Sequence, residues 1–128
     1  MAKEYSRAER VADAVQRELV ELIRDEMRDP RVSFLNITAV DVSRDMSVAK
    51  VHVNFVAGKS EDETREAIEA LNHAAGFLRS QLAKVIRLRT VPRLRFYYDA
   101  SSEHGQRLSA LIDRAIAEDR ERHTDEDE

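Results

Sequence analysis

Apolar residues recur at three- and four-residue intervals near the start of the chain. Val11, Val15, Leu19, Leu22 and Ile23 share one side of a helix at about 100° per residue. Arg10, Arg17, Arg24 and Arg28 fall on the opposite side. The pattern predicts a helix from about Ser6 to Arg28, opened by a Ser6/Glu9 capping box and closed at Asp29-Pro30, because proline disfavours helix in the residue before it. The period then changes from near four to two. Leu35 to Ser43 reads as a strand whose alternation breaks near Ala39-Val40, as a bulge would break it. Ser43 to Ser47 is a hairpin loop. Ala49 to Val56 is a second strand, with Ala49, Val51, Val53 and Phe55 on one face and Lys50, His52 and Asn54 on the other.

Beyond the turn at Ala57-Gly58-Lys59, Ser60 and Glu63 form a second capping box. It opens a helix from about Glu61 to Asn72, with Ala67, Ile68 and Leu71 as its apolar positions. Gly76 interrupts the helical pattern, which resumes through Leu78, Leu82, Val85 and Ile86. A glycine inside a helix costs ~1 kcal/mol relative to alanine, so the segment reads as two helices with a kink or close turn at Gly76. Val91-Pro92 closes the second helix. Arg93 to Tyr98 is a third strand, with Leu94, Phe96 and Tyr98 inward and Arg93, Arg95 and Tyr97 outward. A turn at Asp99 to Ser102 leads to a last helix, about Glu103 to Ala117, whose apolar side carries Leu108, Leu111, Ile112 and Ala115 or Ile116. The expected fold is α+β: a three-stranded sheet packed by helices. It forms one domain over residues 1–117, and the charged, apolar-poor residues 118–128 make an acidic tail expected to be disordered.

Charge changes this picture. The net charge is −4, but it is unevenly spread. Residues 1–100 carry 17 Lys/Arg against 16 Asp/Glu, and residues 101–128 carry 4 against 9. From Ala70 to Tyr98 there is no acid at all, while Arg79, Lys84, Arg87, Arg89, Arg93 and Arg95 all fall there. Ordinary solvated faces mix the two signs, so this stretch predicts a basic surface holding one aromatic ring, Tyr97. Such a surface suits contacts with nucleic-acid phosphates and unpaired bases. Lys50 and His52 join it if they lie on the same side of the sheet. Arg7, Arg10 and Arg31 are auxiliary candidates; the rest of the arginine stripe on the first helix is explained by intrahelical pairs such as Asp13 with Arg17.

Little else in the chain carries chemistry. Cysteine is absent, which removes disulfides, thiol nucleophiles and thiolate metal sites. The four histidines never pair at ligand spacing, and there is no P-loop, GxGxxG or GxSxG motif. Asp41 and Asp45 read as a strand-edge and a turn residue, not as paired catalytic carboxylates. No apolar run approaches membrane-spanning length, and no apolar region follows the charges of the first residues as in a secretory signal. The expectation is a non-enzymatic cytoplasmic protein, a monomer without a metal, a cofactor, a membrane or a small-molecule substrate.

The order helix–strand–strand–helix–helix–strand, then a helix, resembles the type II KH fold, with Ala74-Ala75-Gly76 as an inter-helix kink where a usual KH domain carries its GxxG loop. With that kink, the chain resembles the ribosome-binding factor A family. Arg7-Ala-Glu-Arg10, Asp29-Pro30-Arg31, Val42-Ser43-Arg44-Asp45, Ala49-Lys50-Val51, the run from Leu88 to Phe96 and Asp99-Ala100-Ser101 carry the resemblance, over about residues 4–116.

The resemblance implies a non-catalytic factor for ribosome biogenesis. It would associate with free small (30S) subunits and assist late folding and processing of 16S ribosomal RNA near its 5′-terminal helix, with importance for growth in the cold. On that reading Arg79, Lys84, Arg87, Arg89, Arg93, Arg95 and Tyr97 bind the RNA, and Arg7, Arg10, Arg31 and Lys50 assist. The alternative is a protein-interaction module that binds an acidic partner or self-associates through its sheet. A small hydrolase would need a pocket of perturbed acids, which the sequence does not offer.

Overall fold

Val15 and Leu19 have no exposed surface, and they anchor the first helix, α1 (Arg7–Leu22), against the sheet. The computed structural model describes residues 6–56, 58–99 and 111–120. Ser6 caps α1 by accepting the Glu9 N–H. The last turn departs from the sequence expectation of an α-helix to Arg28. Residues Ile23–Met27 widen into a π turn, Arg28 takes a left-handed conformation (φ 46°), and Asp29 then caps a short 3-10 turn, Pro30–Val32. The Asp29 carboxylate accepts the Arg31 N–H, and Pro30 takes the first helical position, where its missing N–H costs nothing.

Three strands follow the expected faces. β1 (Leu35–Val42) pairs antiparallel with β2 (Val48–Phe55), and β2 pairs parallel with β3 (Arg93–Tyr98), giving the order β1-β2-β3. The bulge lies between Ile37 and Ala39, slightly earlier than the Ala39-Val40 break read from the sequence. Ile37 and Val40 are three residues apart and both buried; only an extra residue between them lets both face the core. That residue, Thr38, donates its hydroxyl to the His52 carbonyl at 3.2 Å.

A parallel pair cannot be joined by a hairpin, so β2 and β3 are connected through two helices, α2 (Glu61–His73) and α3 (Ala75–Val85). The capping box of Ser60 and Glu63 is formed in both directions. All three helices pack on one side of the sheet: α1 on β1 and α3, and α2 and α3 on β3. The core between these layers is made by Ile37, Val51, Val53, Leu71, Leu78, Leu82, Leu94 and Phe96 among others.

Three further sequence expectations change. Val85 is 51% exposed instead of core, because α3 ends there and the chain turns to bury Ile86. The helical interruption lies at Ala74 (φ −86°, ψ 0°), not at Gly76. Residues 111–120 (α4) are helical, so the last helix runs past Ala117, where Asp119 meets Arg65 of α2 at 3.7 Å. Of its apolar positions Ile112 is buried, while Leu111 and Ile116 are exposed. Leu108, the turn at 100–102 and the tail over 121–128 lie outside the described residues.

Gly76 sits in the first turn of α3 with a negative φ, and a Cβ built there meets nothing within 4 Å. The fold therefore makes no use of its conformational freedom. Gly76→Ala is expected to stabilise the protein by about 0.4–1 kcal/mol in urea unfolding, by reducing the entropy of the unfolded chain. A loss of stability would show that the junction does need glycine.

Candidate nucleic-acid interface

β3 is an edge strand, and its hydrogen bonds show which way each residue faces. The Arg93 N–H bonds the Ser47 carbonyl at 2.9 Å and the Asp99 N–H bonds the Val53 carbonyl at 2.7 Å. Odd-numbered residues thus turn their backbone to β2, and Leu94, Phe96 and Tyr98 turn theirs to the free edge. Asn72, in the last turn of α2, covers that edge at Phe96. Its Nδ2 donates to the Phe96 carbonyl at 3.1 Å, and its Oδ1 accepts the Phe96 N–H at 2.8 Å. This pair of bonds does locally what a neighbouring strand would do, and it pins the α2–α3 junction beside β3.

A shallow groove of about 510 Å³ remains between that junction and the strand. Ala75, Gly76 and Arg79 form one wall, Leu94 and Phe96 the other, and Arg93, Arg95 and Tyr97 the rim. Among the described residues no acidic side chain lines it. The sequence-predicted residues converge here unevenly. Arg93 and Arg95 are exposed on the outer face of β3, and Tyr97 is 39% exposed beside them. Arg79 is half-buried, and its Nε donates to the Val91 carbonyl at 2.9 Å, so part of its role is to hold the α3–β3 connection. Lys84 lies in the last turn of α3, and Arg87 and Arg89 in the connection; all three are exposed.

Register settles the condition placed on Lys50 and His52. Lys50 stands opposite Arg95, and His52 opposite Tyr97, on the same outer face. The His52 and Tyr97 rings stack, with centroids 5.9 Å apart and planes inclined by 30°. His52 Nε2 lies 3.2 Å from Asp41 Oδ2 on β1. Arg7 and Arg10 reach a second cleft, shared with Arg89 and floored by Val11, Met46 and Leu88. Asp45 borders this cleft, but hydrogen bonds from Ser47 and Ser43 hold its carboxyl below the usual carboxylate range and tie it into the hairpin. Arg31 joins neither cleft. Its guanidinium is bound to both oxygens of Asp29, at 2.6–3.1 Å, on the turn packed against α2. Two residues escaped the sequence reading. Asn72 gives no signal as one polar residue near a helix end, and the Asp41–His52 contact depends on register across the bulge.

The family model described as ribosome-binding factor A matches residues 7–112, from the first residue of α1 into α4. The chain belongs to the ribosome-binding factor A family. It is 51% identical over 128 residues to the ribosome-binding factor A of Saccharophagus degradans, covering all of both chains. It is 56% identical over 119 residues to that of Pseudomonas syringae pv. syringae, covering 93% of this chain and 86% of the relative. Among solved structures, the crystal structure of ribosome-binding factor A from Thermus thermophilus aligns with a TM-score of 0.62 at 33% identity, covering 73% of this chain and 97% of that one. A Thermotoga maritima protein described as a putative ribosome binding factor A, solved by NMR, aligns at 0.65 and 33%, covering 80% and 96%. A Thermus thermophilus ribosome binding factor A homology model fitted into the cryo-EM map of a 30S–RbfA complex aligns at 0.58 and 34%, covering 70% and 93%.

In this family member the groove depends on Asn72. Asn72→Ala leaves the Phe96 N–H and carbonyl without their partner, and is expected to cost about 1–3 kcal/mol in urea unfolding. It should also speed amide exchange at Phe96 more than at Val51 on the central strand. Unchanged exchange at Phe96 would remove Asn72 from this role.

Proposed function

We propose that this protein binds free small ribosomal subunits through their 16S ribosomal RNA and assists late maturation of that RNA near its 5′-terminal helix, without making or breaking a bond. The observation that carries this reading is the exposed cationic track. Lys84, Arg87, Arg89, Arg93 and Arg95 are all exposed between the end of α3 and β3; Arg93 and Arg95 border a groove that no described acid lines, and Arg89 borders the second cleft with Arg7 and Arg10. Guanidinium and ammonium groups so arranged bind successive phosphates and exclude a basic surface of the same shape. Family membership supports a ribosomal partner, since a homology model of the Thermus thermophilus relative has been fitted into the map of a 30S complex.

On this reading the element order is that of a type II KH-like domain, and Ala74-Ala75-Gly76 stands where a GxxG loop would clamp four nucleotides. The groove is then the place of contact, with the basic connection and strand supplying most of the binding and Arg7, Arg10 and Lys50 extending it. Arg31, neutralised by Asp29, is assigned no part. The protein acts in the cytoplasm as a monomer, supporting subunit assembly when cold makes RNA folding slow.

The test is co-sedimentation with purified small subunits. If about four to six phosphates are engaged, log affinity falls with log salt at a slope of roughly −3 to −5. Replacing Arg87, Arg89 and Arg93 together by Glu is expected to abolish association, with unfolding unchanged because all three are exposed. Association that survives the triple reversal, or a slope near zero, rejects the mechanism.

A further inference from the structure

The helices cover one face of the sheet and leave the other to solvent among the described residues. Two registered rows cross that open face. Asp41, Lys50 and Arg95 form one, and Ala39, His52 and Tyr97 the other. Tyr97 is the residue where this face meets the groove, because it stacks on His52 and also lines the groove rim. A ring stacked on a neighbour across the sheet has its second face turned away from that neighbour. For Tyr97, on edge strand β3, the second face looks past the strand toward the groove. Its inner face is backed by His52, and His52 is held from its far side by Asp41 at 3.2 Å.

We propose that an unpaired nucleobase stacks on the groove-facing side of Tyr97, extending the Asp41–His52–Tyr97 series by one ring. This inference rests on the RNA-binding reading above and names the part of the RNA that the site takes. Tyr97 touches the base; His52 and Asp41 are positioning residues that keep the phenol ring upright. Lys50, Arg93 and Arg95 flank the ring and supply the charge complementarity that favours a nucleotide over an apolar side chain. Asp41, which stands opposite Lys50 on this face, is turned to His52. A paired base cannot use the site, since both its faces are covered within the duplex, so the substrate is a single-stranded or looped-out segment. Base–aromatic stacking of this kind changes affinity by on the order of tenfold, and it tolerates any base because each has a π face.

The experiment uses the full chain and three fluorescein-labelled probes: an eight-nucleotide cytidine RNA, the same ribose-phosphate chain without bases, and an eight-base-pair duplex. Wild type is expected to bind the cytidine RNA about tenfold more tightly than the abasic chain. Tyr97→Ala should remove that difference, binding both equally, while Tyr97→Phe retains it. His52→Ala and Asp41→Ala should reduce the ratio of cytidine-RNA to abasic-chain affinity in part, whereas a merely structural loss would lower both affinities together and leave the ratio unchanged. Binding of the cytidine RNA should quench tyrosine emission in wild type and not in Tyr97→Ala. Equal affinity of wild type for base-bearing and abasic chains overturns the stacking site. So does a Tyr97→Ala protein that still discriminates them, or duplex binding as tight as the single strand. In each of those cases loss of binding on reversing Arg87, Arg89 and Arg93 leaves the RNA-binding reading standing. If wild type binds neither the RNA probes nor small subunits, both fall together.

Discussion

The parallel pairing of β2 with β3 is the constraint on which the rest of the structure depends. Adjacent parallel strands must be joined by a crossover, and here the crossover is α2 and α3. Both helices return over the face already occupied by α1, so Ala49, Val51 and Val53 of the central strand are buried from that side, and among the described residues the opposite face is left to solvent. The pairing also fixes β3 as an edge strand whose even-numbered residues turn their backbone to the free edge, where Asn72 of α2 meets Phe96. An exposed strand edge invites pairing with another chain. Asn72 answers that hazard at Phe96 with one donor and one acceptor, and the groove is the space left along the rest of the edge.

Much of this was legible in the sequence because period and capping are local. The 3.6 period of Val11, Val15 and Leu19, the alternation of Ala49, Val51 and Val53, and the capping box of Ser60 and Glu63 each report their own segment, and each element formed where these signals put it. Boundaries were less legible where a tertiary partner decides them. Val85 has the right spacing for the core of α3, but the helix stops there so that Ile86, Val91 and Pro92 can be buried as the chain enters β3. Gly76 drew the helix break to itself by propensity alone, although the chain turns at Ala74, where φ and ψ need no glycine. The π turn after Leu22 is set by the left-handed Arg28 and the Asp29 cap, neither of which shows in the hydrophobic pattern.

For the candidate site, composition along the chain told more than motif. The absence of acid from Ala70 to Tyr98 marked the α3–β3 region before any geometry was known. Sequence could not say that Arg79 spends its Nε on the Val91 carbonyl, or that Arg31 is neutralised by Asp29, because both depend on where a long side chain finds an acceptor. Nor could it pair His52 with Tyr97. That pairing needs the parallel register of β2 and β3, and the Asp41 contact needs the extra residue at Thr38, which sets which β1 side chain stands near His52.

The charge of the whole chain and the charge of the interface obey different constraints. A net charge of −4 sets the long-range repulsion between whole molecules and says little about what one face binds. Repulsion between exposed charges fades over a Debye length of about 8–10 Å, so acids elsewhere on the surface weaken a phosphate contact only when they stand close to it. Two of the described acids near it are held in place: Asp41 faces His52, and Asp45 accepts from two serine hydroxyls in the hairpin. Those bonds fix the carboxylate in the hairpin and favour its ionised form, so Asp45 still presents its charge to Arg7, Arg10 and Arg89 across the cleft. An acidic protein can therefore present a cationic surface where cations outnumber the carboxylates within that distance, as Arg7, Arg10 and Arg89 outnumber Asp45 on the second cleft.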